Sequence, residues 1–232
     1  MPTTGSPPTG GPAWLRQIAV GLHERLPTDV RDGWAARLHG LLDELPDQGG
    51  LYVVHVWQAG TVLPLLAAAA HDVDETVFEA VAELHRAAAH GVTADQETWR
   101  SALTPLLLHL YDAAYDRTGA YAEAHTGARD YALANGFSAT EADTYGHEYA
   151  RLSSDANARS CAEAHARALA PALARAYATD GCEAYDDTFP AAQLRAVVRA
   201  TARQRGDSGP AIRLVEGLVS ALESRQLGDR CR

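Results

Sequence analysis

Lysine is absent from the 232-residue sequence, whose 20 cationic side chains are all arginine, and the only methionine is Met1. The absence of lysine excludes Schiff-base enzymes of the pyridoxal and aldolase types, Walker A phosphate-binding loops and the protein-kinase active site, because each of them depends on a lysine amine. The absence of an internal methionine excludes a thioether metal ligand. The ten histidines are therefore the first side chains to consider for acid–base chemistry.

Basic charge is also in deficit, since 30 acidic side chains outweigh the 20 arginines and the formal net charge is −10. An acidic chain is poorly suited to follow a phosphate backbone, so we expect no nucleic-acid partner. One local basic strip lies on a predicted helix, and it would equally suit the negative end of that helix. The strip consists of Arg195, Arg199, Arg203 and Arg205.

Cysteine is scarce, and Cys161, Cys182 and Cys231 are odd in number and show no C-x-x-C spacing. This pattern indicates free thiols in a reducing compartment rather than a disulfide framework. Residues 1–12 form a tail of small and proline residues without the apolar segment of a signal peptide, and we expect it to be disordered. Both observations predict a cytoplasmic protein. The all-arginine, alanine-rich usage is typical of high-GC actinobacterial genomes.

One stretch, residues 51–70, is apolar and long enough to cross a bilayer as a helix. No arginine cluster flanks it, and it is interrupted by His55, Gln58, Gly60 and Pro64. We therefore predict a buried core helix broken near residues 60–64, and no membrane association. A short strand over residues 51–57 is the alternative, because that run is rich in β-branched and aromatic residues.

Helical periodicity recurs along the chain, and beyond Trp57 no segment alternates like a strand. We predict an all-α fold in which residues 13–232 form a single domain, a bundle of about seven or eight helices. Outside the centre of the chain, the predicted helices cover residues 14–25, 29–45, 72–90, 188–204 and 208–225.

The centre of the chain, residues 93–181, predicts a long alanine-rich antiparallel helical hairpin. Capping-box patterns begin at Thr93 and at Ser138, and Asn135-Gly136 is the one stop signal between them. Each arm has roughly forty residues, and so short a connection makes neighbouring helices antiparallel. The positions at which an arm could kink are Pro105, Gly119, Gly127 and Pro171.

Histidines on the two predicted arms are expected to meet. His125 and His147 each lie eleven residues from Gly136, so an antiparallel hairpin places them at the same level. His125 falls on the apolar, inward face of its helix, and His165 points the same way as His147. If the stripe of His147 and His165 also faces inward, the hairpin carries an internal polar line, which consists of Tyr121, His125, Asp143, His147, Cys161 and His165.

This polar line supplies the candidate functional residues. The candidates for acid–base catalysis are His125, His147 and His165. The candidates for substrate binding are Tyr111, Tyr121, Tyr149 and Cys161. In the alternative interpretation His147 and His165 are solvated, and His125 is a core histidine with a local hydrogen bond. Because the sequence has no HExxH motif and no ferritin-like glutamate set, we expect no metal site and no cofactor.

Two functions are consistent with these features. In the first, a soluble helical protein binds or transforms a small organic molecule in an interior pocket, as an accessory or biosynthetic protein of an actinobacterial pathway. In the second, it is a non-enzymatic interaction, immunity or scaffold module whose long helices pack against a protein partner or a second copy in a homodimer. The residue pattern leaves open whether the protein is an enzyme.

Overall fold

The computed structural model describes residues 11–43, 50–70, 74–202 and 206–230. Within these ranges every regular element is helical, which confirms the all-α prediction. Most of the predicted disordered tail, residues 1–10, lies outside the described residues. The same holds for Cys231 and for two members of the basic strip, Arg203 and Arg205.

The chain forms more helical segments than the seven or eight expected. They are α1 (Ala13–His23), α2 (Thr28–Asp43), α3 (Tyr52–Trp57), α4 (Leu63–Ala69), α5 (Thr76–Ala89), α6 (Gln96–Ala113), α7 (Arg117–Ala134), α8 (Ala139–Ala178), α9 (Cys182–Asp186), α10 (Pro190–Thr201) and α11 (Gly209–Arg230). A π-helical turn, Gln58–Val62, joins α3 to α4.

The predicted central hairpin is present, and α8 forms its second half. Ser138 and Glu141 form the capping box, in which each side chain bonds the other residue's backbone N–H. Gly136 closes the turn at a φ of +86°, a conformation that glycine adopts without strain. The 40 residues of α8 span about 60 Å.

The first half of the hairpin consists of two helices, α6 and α7, which follow one another along α8. The chain breaks between them because the Asp116 side chain accepts a hydrogen bond from the Gly119 N–H and starts a new helix. This break between α6 and α7 lies at neither Pro105 nor Gly127, two of the positions where a kink was expected. The predicted cap at Thr93 was wrong, since Asp95 caps α6 by accepting from the Thr98 N–H at 2.7 Å.

Residues 51–70 form the predicted core helix and not the alternative strand. The helix departs from α-geometry at the π turn, immediately before Pro64, and Pro64 lies in the first turn of α4. Among the described residues, Tyr52–Ala69 is the one stretch with the length and apolar composition to cross a membrane. Its residues Val53, Val54 and Leu63 are buried in the apolar core, an arrangement compatible with a soluble protein.

The apolar core lies among α1 to α6, the C-terminal half of α8, and α9 to α11. Residues 115–158 contribute nothing to it. We call α7 and the N-terminal half of α8, residues 117–158, the arm. The arm is held by a seam of small buried residues, Ala128, Ala132, Ala142, Gly146 and Ala150. The remaining surface of the arm is largely open to solvent.

Candidate functional site

The predicted meeting of His125 and His147 occurs, because their ring centroids lie 4.3 Å apart across the seam of the arm. Asp143 lies between them, with its carboxylate 3.4 Å from Nε2 of His125 and 3.6 Å from Nε2 of His147. The Tyr121 hydroxyl is 2.6 Å from Nδ1 of His147. Four of the expected residues therefore form one cluster, which we call the arm cluster.

The arm cluster lies at the surface, as the alternative interpretation has it for His147, and not on an interior line. The side chains of Asp143 and His147 are 52% and 56% exposed. The seam beside them is closed, since a Cβ atom on Gly146 would lie 3.0 Å from the backbone oxygen of His125. Alanine helices offer no apolar face broad enough to enclose a pocket at this level, so these side chains stay in contact with solvent.

The other predicted residues form a second group between α6 and α8. The rings of Tyr111 and His165 stack at 4.0 Å, and Nδ1 of His165 donates to the Cys161 carbonyl oxygen at 2.8 Å. Burial raises the pKa of Tyr111 to about 12. His165 is eighteen residues from His147, about 27 Å along α8, so the two groups are separate.

Tyr149 belongs to neither group. Its side chain is 49% exposed, and its ring lies 6.3 Å from that of Tyr145 on the outer surface of α8. The seven predicted catalytic and binding residues therefore do not converge on one pocket.

The core holds a histidine pair that the sequence reasoning missed. Nδ1 of His55, in α3, lies 2.8 Å from Nδ1 of His85, in α5, and both side chains are almost fully buried. One imidazole must donate and the other accept, so the two rings carry opposite tautomers. The rings of Trp99 and Tyr177 pack against both imidazoles.

Both core histidines are uncharged at neutral pH. Burial lowers the pKa of His55 to about 4, and the negative charge of Asp180 opposes this shift only in part. Burial also lowers the pKa of His85 well below its usual value, and the neighbouring His55 adds to the shift. A neutral, hydrogen-bonded pair is the form in which two imidazoles can lie this close in an apolar core.

Two buried tyrosines extend this polar group. The rings of Tyr177 and Tyr185 lie 5.8 Å apart, and burial raises the pKa of both tyrosines. Gln58 is the first residue of the π turn, which adds one residue to a helical turn and so changes the direction of the side chain.

A cavity of about 50 Å³ lies beside these groups. Its walls are mostly leucine and valine, and no arginine, aspartate or glutamate of the described ranges lines it. The polar groups that face it come from five different segments: Gln58, His85, Tyr177, Tyr185 and Gln193. We call it the core cavity. It has room for a few water molecules or a correspondingly small ligand.

A sequence signal for this site existed on α5. His85 recurs with Phe78, Val81 and Ala82 at helical spacing, so it lies on the apolar face that the helix buries. His55 gives no such signal, because it lies in a continuous apolar run where every neighbour is hydrophobic. The contact between residues thirty positions apart depends on how α3 packs on α5.

Comparison of the chain with protein-family models, curated proteins and solved structures finds no match.

Proposed function

We propose that the protein binds a small, neutral organic molecule in the core cavity beside the His55–His85 pair. The observation that carries the proposal is an apolar internal cavity onto which a few polar groups converge, the common form of a small-molecule site. The proposal keeps the small-molecule hypothesis and moves its site from the hairpin to the centre of the bundle.

The lining determines the chemical class of the ligand. An ionised ligand would enter without a counter-charge, because none of the described residues that line the cavity is charged and His85 is neutral. A molecule of about two to four heavy atoms fills the cavity in its present shape. One polar group on that molecule can bond to the imidazole, phenol or amide groups that face it.

The polar groups near the cavity also support a functional role. Burying two imidazoles and two phenols is less favourable than burying apolar side chains of similar volume. The indole N–H of Trp99 is buried beside the histidines and has no hydrogen-bond acceptor among the described residues. Such departures from an apolar core, together with a π turn, cluster where function requires them.

Thermal unfolding with and without small neutral probes tests the proposal. Ethanol, acetone, acetamide and xenon are suitable probes, and one at 100 times its Kd adds about 2.7 kcal/mol, or about 5–10 °C in Tm. The double variant Val62→Leu/Val197→Leu fills the cavity and should abolish the ligand-dependent shift.

The matched control is Val215→Leu/Val219→Leu, because these buried valines of α11 do not line the cavity. It should retain the ligand-dependent shift whatever its basal Tm. The proposal is wrong if no probe raises the wild-type Tm, or if the filled variant shifts as much as the control.

A second candidate function is self-association, and an exposed aromatic surface on the arm favours it. We call this surface the ridge; it consists of Phe137, Tyr145, Tyr149 and Leu152, which are 48%, 39%, 49% and 61% exposed. Three of them follow helical spacing on α8, and their contiguity distinguishes them from single exposed apolar residues.

The charges beside the ridge fit a second copy of this chain. Glu141 and Arg159 lie nine residues on either side of Ala150 and share one side of α8. Two α8 helices that cross antiparallel at this level would bring each Glu141 to Arg159 of the second copy. The side chains of Glu141 and Arg159 are exposed in the single chain, as the ridge is.

Sedimentation velocity tests this second candidate. We expect concentration-dependent dimerisation that Tyr149→Glu abolishes, because a carboxylate would be buried in the interface without a partner. Tyr52→Glu, at the start of α3 and away from the arm, should leave dimerisation intact. If the wild type remains monomeric at a protein concentration 100 times that of the thermal-unfolding assay, self-association is excluded as the function.

A further inference from the structure

We infer that the arm cluster binds one divalent transition-metal ion of the Zn²⁺ type through His125, Asp143 and His147. The inference is independent of the core cavity and of self-association. It also departs from the expectation of no metal site, which depended on the absence of an HExxH motif and of a ferritin-like glutamate set.

The distances match a metal site better than a set of hydrogen bonds. The ligand atoms of the three side chains all lie within 4.8 Å of one another. The closest approaches to the Asp143 carboxylate, 3.4 Å from His125 and 3.6 Å from His147, are too long for good hydrogen bonds. In a tetrahedral site with bonds of about 2.0–2.1 Å, neighbouring ligand atoms are about 3.3–3.4 Å apart.

An unpartnered nitrogen points independently to a ligand. Nε2 of His125 is buried and has no hydrogen-bond partner among the described residues, although it faces the Asp143 carboxylate. Buried side-chain nitrogen atoms nearly always have a hydrogen-bond partner or a ligand, and Nε2 of His125 lacks one. A metal ion between the imidazole and the carboxylate would satisfy it.

Tyr121 orients the imidazole of His147 for metal binding. Its hydroxyl lies 2.6 Å from Nδ1 of His147, which leaves Nε2 directed towards Asp143. When Nδ1–H donates to the phenol oxygen, Nε2 carries the lone pair that a metal needs. Such a hydrogen bond to the far nitrogen is the usual support of a metal-binding histidine, so Tyr121 is a positioning residue.

The seam of the arm holds the ligands on rigid elements. Asp143 and His147 are one turn apart on α8, and His125 reaches them from α7. Gly146 permits this approach, since a Cβ there would lie 3.0 Å from Cδ2 of His125. The geometry is therefore set by backbone packing and not by mobile loops.

The donor set and its surroundings select the class of metal. Two imidazole nitrogens and one carboxylate oxygen suit Zn²⁺ and similar ions, whereas Mg²⁺ and Ca²⁺ prefer oxygen ligands alone. Three protein ligands leave the fourth tetrahedral position for water. The Arg129 guanidinium lies 3.7 Å from Asp143 and competes with a metal ion for this carboxylate. Such an exposed ion pair is weak and does not prevent metal binding.

Isothermal titration of untagged protein with ZnCl₂ and, separately, MgCl₂ tests the inference. We expect one Zn²⁺ per chain and no Mg²⁺ at this site. His125→Gln and Asp143→Asn should each weaken Zn²⁺ binding by more than about 10-fold, and Tyr121→Phe by about 10-fold. The controls are His90→Gln and Asp130→Asn, exposed residues outside the cluster that should leave the Kd unchanged.

Cobalt substitution gives a second measurement that needs no variant. Co²⁺ in the wild type should show the intense visible absorption of a four-coordinate site with nitrogen ligands, and Zn²⁺ should displace it. The inference is overturned if wild-type Co²⁺ shows only the weak spectrum of the hydrated ion. It is equally overturned if His125→Gln and Asp143→Asn bind Zn²⁺ as tightly as the two control variants.

Discussion

The Nδ1 atoms of His55 and His85 lie 2.8 Å apart in the core, so one proton joins two imidazoles that belong to different helices. The bond links α3 to α5 beside the core cavity. The bond is lost when both Nδ1 atoms carry a proton, because neither ring then offers an acceptor. The pair therefore makes the stability of the bundle sensitive to pH.

The first prediction concerns this pH dependence. The folded-state pKa values of His55 and His85 lie below the ordinary value of 6.5 because of burial, so the unfolded chain binds more protons in acid. The contribution of the two neutral histidines to the free energy of unfolding should be fully present above pH 6.5 and should fall as the pH drops towards 4. His55 alone should account for a loss of about 3 kcal/mol across this window.

Urea denaturation at pH 7.5, 6.0, 5.0 and 4.5 measures this effect. The double variant His55→Leu/His85→Leu removes both partners together, so it leaves no unpaired imidazole in the core. Its free energy of unfolding should fall less steeply with pH than that of the wild type. Parallel curves for the two proteins would contradict the assignment of neutral buried histidines.

The second prediction compares two glycines of the arm. Gly146→Ala should destabilise the protein by about 1–3 kcal/mol, because the new Cβ meets the His125 backbone oxygen at 3.0 Å. Gly127→Ala should stabilise it by about 0.5–1 kcal/mol, since this helical glycine has no atom within 4 Å of an added Cβ. Chemical denaturation of both variants checks the opposite signs; equal effects would contradict the closed seam.

The third prediction concerns the start of α6. Asp95→Ala should lower the Tm, because the side chain that caps the helix at the Thr98 N–H is lost. Thr93→Ala should leave the Tm unchanged, since Thr93 lies outside the helix. Differential scanning calorimetry distinguishes the two. A larger loss in Thr93→Ala would show that the sequence-based cap, and not the observed one, is correct.

Local signals accounted for much of the fold. The capping box at Ser138 and the turn at Gly136 defined the hairpin, and counting residues from that glycine placed His125 opposite His147. The break before α7 also had a readable signal, Asp116 followed by Gly119, but the apolar periodicity continued across it. The sequence pattern predicted the cap of α6 at Thr93, whereas the helix begins two residues later, after Asp95.

The candidate sites were less accessible to sequence reasoning. On α8 nearly every helical face carries alanine, so periodicity did not show which stripe was buried, and Asp143 and His147 proved to be exposed. The pairing of His55 with His85 depends on two helices thirty residues apart in sequence.

Helicity, the register of the hairpin and the exclusion of lysine chemistry could be read from the residues alone, because they follow from local propensity, short-range capping and residue identity. The exposure of the arm cluster and the proton shared by two imidazoles in the core became visible only in the folded chain. Burial is a property of packing between distant segments, and burial is what makes the core histidines neutral and leaves a cavity beside them.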